Sequence, residues 1–219
     1  MLSVNIDPVL FKIGFLEIRY YGVVYTLGIL LTYYYLKRKK LLDENELDRF
    51  MLYLVAGMFL GARFVGVLSQ DFFVLFKDPL EFFRIWNGGM SFFGGFFGGI
   101  IGSYLVLKKK IFHVGDHVVV PVSFILVLGR LANFVNQELV GRVTDVNWCF
   151  NFSTASGCRH PYQLYAALGH LILFLCLIFL SRRNYRRGVI FWGFVSGYGL
   201  MRFVTDFFRE NPTVFGLTG

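Results

Sequence analysis

The chain has 219 residues, 56% of them hydrophobic, 19% aromatic and only 16% charged, with 22 Lys and Arg against 14 Asp and Glu for a formal net charge of +8 and a mean hydropathy of +0.57. A soluble domain carries about 25% charged residues, so this composition excludes an ordinary water-soluble enzyme. The apolar residues come in long runs rather than ~10-residue alternating segments, which excludes a closed barrel.

Met1 to Phe15 contain Asp7, Pro8 and Gly14 and show no basic start, apolar core and small-residue cleavage site, so no signal peptide is evident. Six apolar runs follow: Tyr20 to Leu36, Phe50 to Leu68, Gly89 to Leu107, Val118 to Val135, Tyr162 to Leu180 and Val189 to Phe208. Each is close to the roughly 17 to 25 residues needed to cross the hydrocarbon. Packed this tightly, they leave only short loops. The reading is an all-α integral membrane protein, a polytopic helical bundle of about six transmembrane helices forming a single membrane domain over 1–219. Gly57 and Gly61 in the second run, and Gly94, Gly95, Gly98, Gly99 and Gly102 in the third, recur at the four-residue spacing that lets helix backbones approach closely. Gly88 and Gly89 read as a turn before the third span.

Between the second and third runs, Ser69 to Asn87 interleave Phe72, Phe73, Phe76, Phe82, Phe83 and Trp86 with Asp71, Lys77, Asp78, Glu81 and Arg84. That mix suits a short interfacial arm at the headgroup level. Glu138 to Pro161 is the extended polar loop and is expected to make a small exterior cap. Cys149 and Cys158 lie in it, and both a disulfide and two free thiols fit the sequence. Cys176, inside an apolar run, reads as a small core residue. Basic clusters at Lys37 to Lys40, Lys108 to Lys110 and Arg182, Arg183, Arg186 and Arg187 each follow an odd-numbered run. Basic residues near span ends favour the cytoplasmic side, which places the N-terminus outside and makes the net charge an inner-face feature rather than a nucleic-acid footprint.

The fourth run ends in Gly129-Arg130-Leu131-Ala132-Asn133-Phe134-Val135-Asn136-Gln137-Glu138-Leu139-Val140-Gly141. A charged side chain at the middle of a membrane helix costs roughly 2.5–3.5 kcal/mol on insertion scales, so Arg130 marks a binding or reaction site by default. At about 100° per residue, Arg130, Asn133, Gln137 and Gly141 fall on one narrow arc, a polar stripe able to face a cavity. In the sixth run Tyr198, Arg202, Asp206 and Arg209 likewise share a face. The plainer alternative is structural: membrane asparagines often serve as interhelical hydrogen-bond partners worth only ~0.6 kcal/mol on average, and an Arg and Asp one turn apart can simply neutralise each other.

Gly129-Arg130-x-Ala132-Asn133-Phe134-x-Asn136-x-Glu138-x-x-Gly141, with Arg142 next, resembles the full signature of the bacterial phosphatidylglycerol:prolipoprotein diacylglyceryl transferases. The similarity runs along nearly the whole chain: Tyr20-Tyr21-Gly22, Gly61-Ala62-Arg63, Trp86-Asn87-Gly88-Gly89-Met90-Ser91-Phe92, Arg159-His160-Pro161 with Gln163-Leu164-Tyr165, and Gly197-Tyr198-Gly199 with Arg202 and Phe207-Phe208-Arg209. The resemblance implies transfer of the sn-1,2-diacylglyceryl group of phosphatidylglycerol to the lipobox cysteine thiol in a preprolipoprotein signal peptide, forming a thioether and releasing glycerol phosphate. It implies a bacterial cytoplasmic membrane location and the use of neither metal nor organic cofactor. The absence of a His, Cys and carboxylate set at metal-ligand spacing agrees with that. Phosphatidylglycerol and the signal peptide are the expected partners, and a monomer is expected.

A thiol displacing a phosphate ester from carbon must manage negative charge on nucleophile and leaving group. Arginine suits this because its planar fork binds phosphate bidentately and stays ionised in a poorly hydrated site. Arg130 is the first candidate for lipid phosphate and Arg202 the second, with Asp206 orienting it. Asn133 and Asn136 are expected to contact glycerol or phosphate oxygens, and Glu138 to pair with Arg142 or another arginine. Gly141, Arg142 and Arg63, at matched positions, are also expected to contribute to substrate binding, and Tyr21 either contacts the substrate or anchors the first span in the aromatic belt.

Three positions depart from the family pattern: Phe93 stands where relatives have a histidine, Ala166 where they commonly have a glutamate, and Asp206 in place of a glutamate. The proton acceptor for the thiol therefore stays open. The histidine is dispensable, or His160, Glu138 or Tyr21 takes its place, or the protein is an impaired homologue that still binds anionic phospholipid. A small-solute transporter using the same stripe is a further alternative, against which stands the lack of internal self-similarity. The terminal stretch Asn211-Pro212 and Phe215-Gly216-Leu217-Thr218-Gly219 resembles the start of a segment that in relatives leads into one more span, so the expectation is either a six-span form or a fragment.

Overall fold

The computed structural model describes residues 2–4, 6–7, 9–13, 16–70, 73, 77–84, 88–210, 213–214 and 217–218. Expectations resting on Pro8 and Gly14, on Asp71, Phe72, Phe76, Trp86 and Asn87, and on Asn211, Pro212, Phe215, Gly216 and Gly219 lie outside the described residues.

The described residues are mostly helical. Six α-helices carry the fold: α1 (Tyr20–Lys39), α2 (Glu44–Gln70), α3 (Phe92–Leu107), α4 (Ile111–Val135), α5 (Tyr162–Ser181) and α6 (Val189–Asp206). Three stretches, Glu44–Ser69, Phe93–Val135 and Tyr162–Ser181, are long and apolar enough to cross a membrane. The middle one runs through α3, the 3-10 turn Lys108–Lys110 and α4. Six tyrosines dilute the apolar character of α1, and Arg202 and Asp206 that of α6.

Burial departs from that of a soluble protein in two ways. Ile172, Leu175, Phe179, Leu200 and Phe203 are exposed, whereas Arg63, Asn133, Arg159, Gln163 and His170 are buried. Polar groups turned inward and aliphatic groups turned outward suit a surrounding of acyl chains. Cys176 follows that outward pattern and is exposed, correcting the expectation of a core position, while Leu173 and Leu177 on either side of it in the sequence are buried.

The chain divides into two compact units, 33–114 and the remainder. In the 33–114 unit, α2 lies directly against α3. A Cβ at Gly57, Gly61 or Gly66 would strike the carbonyls of Gly98, Gly94 or Gly89, and one at Gly102 would strike that of Tyr53. The small-residue spacing is thus a packing device. Gly88 and Gly89, at φ of 79° and 76°, make the turn ahead of α3, and Ser91 caps that helix by accepting from the Gly94 N–H. A 3-10 turn, Pro79–Phe83, is the regular part of the arm, with Leu80 and Phe83 exposed. A cleft lined by Arg49, Tyr53, Leu105, Val106 and Lys108 also belongs to this unit and contains no candidate residue.

In the other unit, α5 packs on α6. Asp116 of α4 accepts from the backbone N–H groups of Gly188 and Phe191 at 2.6 and 2.8 Å, so a carboxylate from another helix caps the start of α6 and opposes its positive dipole end. Outside the helices the backbone needs other partners, and here the purely helical expectation misses small β elements. These are the hairpin β2 (Val9–Ile13) with β3 (Leu16–Arg19), the pair β6 (Thr213–Val214) with β7 (Leu217–Thr218), and a sheet ordered β1 (Leu2–Ser3), β4 (Phe150–Phe152), β5 (Ala155–Arg159). The stretch expected as a cap loop holds β4 and β5, and a Cys149–Cys158 disulfide joins their flanks.

Candidate active site

The signature segment does not continue as helix. The α4 helix ends at Val135, Gln137 takes a left-handed φ of 56°, and its N–H donates to Phe134 O at 3.1 Å while Glu138 N–H donates to Asn133 O at 3.0 Å. Those two bonds are a Schellman C-cap with Gln137 in the position usually held by glycine. The Gln137 side chain helps hold this geometry, accepting from Ser153 N–H and Oγ–H at 2.6 and 2.9 Å, while its carbonyl accepts from Thr154 Oγ1–H at 2.7 Å. The expected arc through Gln137 and Gly141 is therefore corrected. Arg130 and Asn133 stay on α4, and the residues beyond turn back across its end.

That reversal places Glu138 over the helix terminus. Its carboxylate accepts from Tyr21 Oη–H at 2.9 Å and from the Asn133 and Asn136 amides at 3.5 Å. Asn133 Oδ1 in turn accepts from Arg130 at 3.4 Å. Tyr21, Arg130, Asn133, Asn136 and Glu138 form one network, in which the carboxylate faces a tyrosine and two amides. The expected Glu138 pairing with Arg142 or another arginine is not what forms: among the described residues Glu138 makes no ion pair, and Arg142 Nε donates to Arg209 O at 2.9 Å.

Beside it lies a second cluster. Arg202 donates to Tyr162 Oη at 2.8 Å and sits 3.1 Å from Asp206 one turn on, as expected from the spacing. Arg209 lies over the Tyr162 ring. Tyr162 opens α5, and its neighbour Gln163, fully buried, donates to Glu138 O at 2.7 Å. The start of α5 thereby ties the two clusters together.

Gly141 forms a bridge with Arg209, and a Cβ there would strike the His160 carbonyl, so only glycine fits. The Gly141 carbonyl accepts from buried Arg159, which also pairs with Glu210 at 2.5 Å. His160 Nδ1 lies 3.2 Å from Tyr165 Oη, which accepts from Trp148 Nε1–H at 2.7 Å, and the imidazole packs edge-on to Phe208. His160 is thus held among aromatic rings at the entry to α5.

Arg63 belongs to the 33–114 unit and is 1% exposed. Its guanidinium donates to the carbonyls of Phe82, Gly88, Glu81 and Arg84 and pairs with the Glu81 carboxylate. With its donors so engaged it holds the arm rather than facing a ligand, which corrects the expectation of a substrate contact. Sequence reading left Tyr162, Gln163 and His170 out of the site. Gln163 belongs to a matched motif and Tyr162 stands beside it, so both could have been found there. His170, in the apolar body of α5, carries no local signal.

Apolar helices carrying an arginine, tyrosine, amide and carboxylate network at the end of α4 define a helical membrane-type protein. Residues 8–218 match the family model for prolipoprotein diacylglyceryl transferase. The phosphatidylglycerol–prolipoprotein diacylglyceryl transferase of Geobacter sulfurreducens is 42% identical over 97% of this chain and 86% of that protein. The proteins of the same name from Aeromonas hydrophila and Brucella anthropi are 39% and 36% identical over 97% of the chain, covering 81% and 82% of their lengths. The chain belongs to the prolipoprotein diacylglyceryl transferase family.

Proposed function

We propose that this protein transfers the diacylglyceryl group of phosphatidylglycerol to a prolipoprotein, at the lipobox cysteine, forming a thioether and releasing glycerol phosphate. The observation that carries the reading is the Tyr21, Arg130, Asn133, Asn136 and Glu138 network at the end of α4, within a chain matched to the family over 8–218. Arg130 and Arg202 grip the lipid phosphate and stabilise the charge that grows on it as the carbon–oxygen bond breaks. Sulfur attacks the glyceryl carbon, the electron pair of the broken bond leaves on the phosphate oxygen, and the thiol proton ends on the released glycerol phosphate.

Of the candidate proton acceptors, Glu138 is favoured. It converges with Arg130 and Tyr21, and Tyr21 spends its own hydroxyl proton on that carboxylate. His160 faces Tyr165 and Phe208 and belongs to the cap. Asn133 and Asn136 hold the carboxylate and face the glycerol oxygens, and Asp206 orients Arg202. Gly141 and Arg142 fix the chain between this network and the cap.

The whole chain is read as one membrane domain of six crossings in the bacterial cytoplasmic membrane, working as a monomer. The arm 69–87 lies at the interface and the cap 138–161 on the exterior side. The disulfide supports that side for the cap, because such bonds persist in oxidising compartments, and the basic clusters support the opposite side for the loops after the odd-numbered spans.

Purified protein incubated with phosphatidylglycerol and a lipobox peptide should add a diacylglyceryl mass to the peptide cysteine. Retained lipid binding with no mass gain would instead identify an impaired homologue, the reading that Phe93 favours.

A further inference from the structure

Among the described residues, His170 is a buried side chain with both of its polar atoms left unpartnered. It lies fully buried in α5. Its ring stacks on Tyr198 with centroids 5.5 Å apart. A neutral imidazole offers one donor and one acceptor. Burying both unmade is a penalty that native interiors avoid unless the group serves a ligand.

Depth says which part of a lipid the ring would meet. At about 1.5 Å per residue, Arg130 and Arg202 lie roughly 6–8 Å inside the ends of α4 and α6, while His170 and Tyr198 lie roughly 12 Å inside the ends of α5 and α6. In a phospholipid the glycerol carbons and two ester carbonyls come directly after the phosphate on the acyl side. Gly129 lies about 9 Å inside the end of α4, between the depth of Arg130 and that of His170, one turn below Asn133 on its face, and a Cβ there would meet nothing within 4 Å. It differs in this from Gly57 and Gly98, whose place is dictated by a neighbouring backbone. The Tyr198 ring stacks on His170, and Gly199 beside Tyr198 has open space around it.

We propose that the layer of Gly129, His170 and Tyr198 beneath the arginines receives the ester-linked glycerol backbone of the lipid donor, with the His170 N–H donating to an ester carbonyl. This rests on the lipid-donor reading above and extends it to a part of the lipid that the arginines do not touch.

The test compares diester phosphatidylglycerol with its dialkyl-ether analogue of equal chain length, which lacks the carbonyls, in binding and in transfer by the full chain. Wild type should bind the diester about tenfold more tightly, the scale of one hydrogen bond. His170→Phe, which keeps the stack on Tyr198 without the nitrogens, should bring the diester down to the ether's affinity. His170→Gln, which keeps an N–H donor, should retain part of the preference. Gly129→Leu should leave the melting temperature unchanged or raised, because the position is open and helical, while weakening both lipids alike by tenfold or more. An unchanged diester-to-ether ratio in His170→Phe, or full lipid affinity in Gly129→Leu, overturns the assignment, as does equal binding of the two lipids by wild type. Ester preference without any transfer would defeat the catalytic reading and leave this layer standing. Transfer without ester preference would do the reverse.

Discussion

Arg130 illustrates what one residue can reveal before any coordinates. A guanidinium in an apolar run is costly enough that its presence asks for a partner, and the structure supplies Asn133 and, through it, Glu138. If Arg130 binds phosphate bidentately, Arg130→Ala should abolish transfer, and Arg130→Lys, which keeps the charge but loses the fork, should lower kcat/KM by at least about tenfold. Full activity in the lysine variant would rule out bidentate recognition. Glu138→Gln and His160→Gln separate the two proton acceptors: initial-rate measurements should show a loss of about a hundredfold or more for the first and only a modest change for the second. Phe93, two-thirds exposed at the start of α3, has no acceptor to contribute, so Phe93→His should leave the rate unchanged or raise it. His170 marks the limit of reading single residues. Its surroundings are apolar in sequence, and the ring it stacks on, Tyr198, comes from another helix.

At the level of elements, glycine spacing and helix ends behave differently. Gly57, Gly61, Gly94 and Gly98 were legible because close helix contact needs small residues at a fixed period, a property of one helix face. Gly98→Leu should destabilise the α2–α3 pair by several kcal/mol or prevent its assembly, since the added side chain would meet the Gly57 carbonyl rather than a movable side chain. A thermal melt in detergent measures this. The end of α4 was not legible, because Gln137 carries no glycine-like signal for a left-handed cap. Its conformation is tied to bonds with Ser153 and Thr154, 16 and 17 residues away. Gln137→Ala should loosen the hairpin of β4 and β5, costing about 1 kcal/mol for the lost side-chain bonds. Faster hydrogen exchange over 150–159 than in wild type checks it, and unchanged protection would mean the disulfide alone holds the cap.

For the whole molecule, the proposed six crossings make a topological prediction independent of catalysis. Single cysteines placed at Asp145 and at Lys109 in a chain otherwise free of reactive thiols should react with an impermeant reagent from opposite sides, the first from the exterior and the second from the cytoplasm. Labelling of both from one side would overturn the topology. Helical membrane character followed from composition and the apolar runs, since the transfer cost of each residue into hydrocarbon adds along the chain and needs no knowledge of neighbours. The same additivity picked out Arg130 and Arg202 as residues out of place. Which polar groups meet was decided only in three dimensions. Glu138 turned to Tyr21 instead of an arginine, Arg63 went to the arm's carbonyls, and Tyr162 and Gln163 joined from α5. A hydrogen bond depends on the distance between two groups that the sequence may hold more than a hundred residues apart, and that distance exists only once the helices have packed.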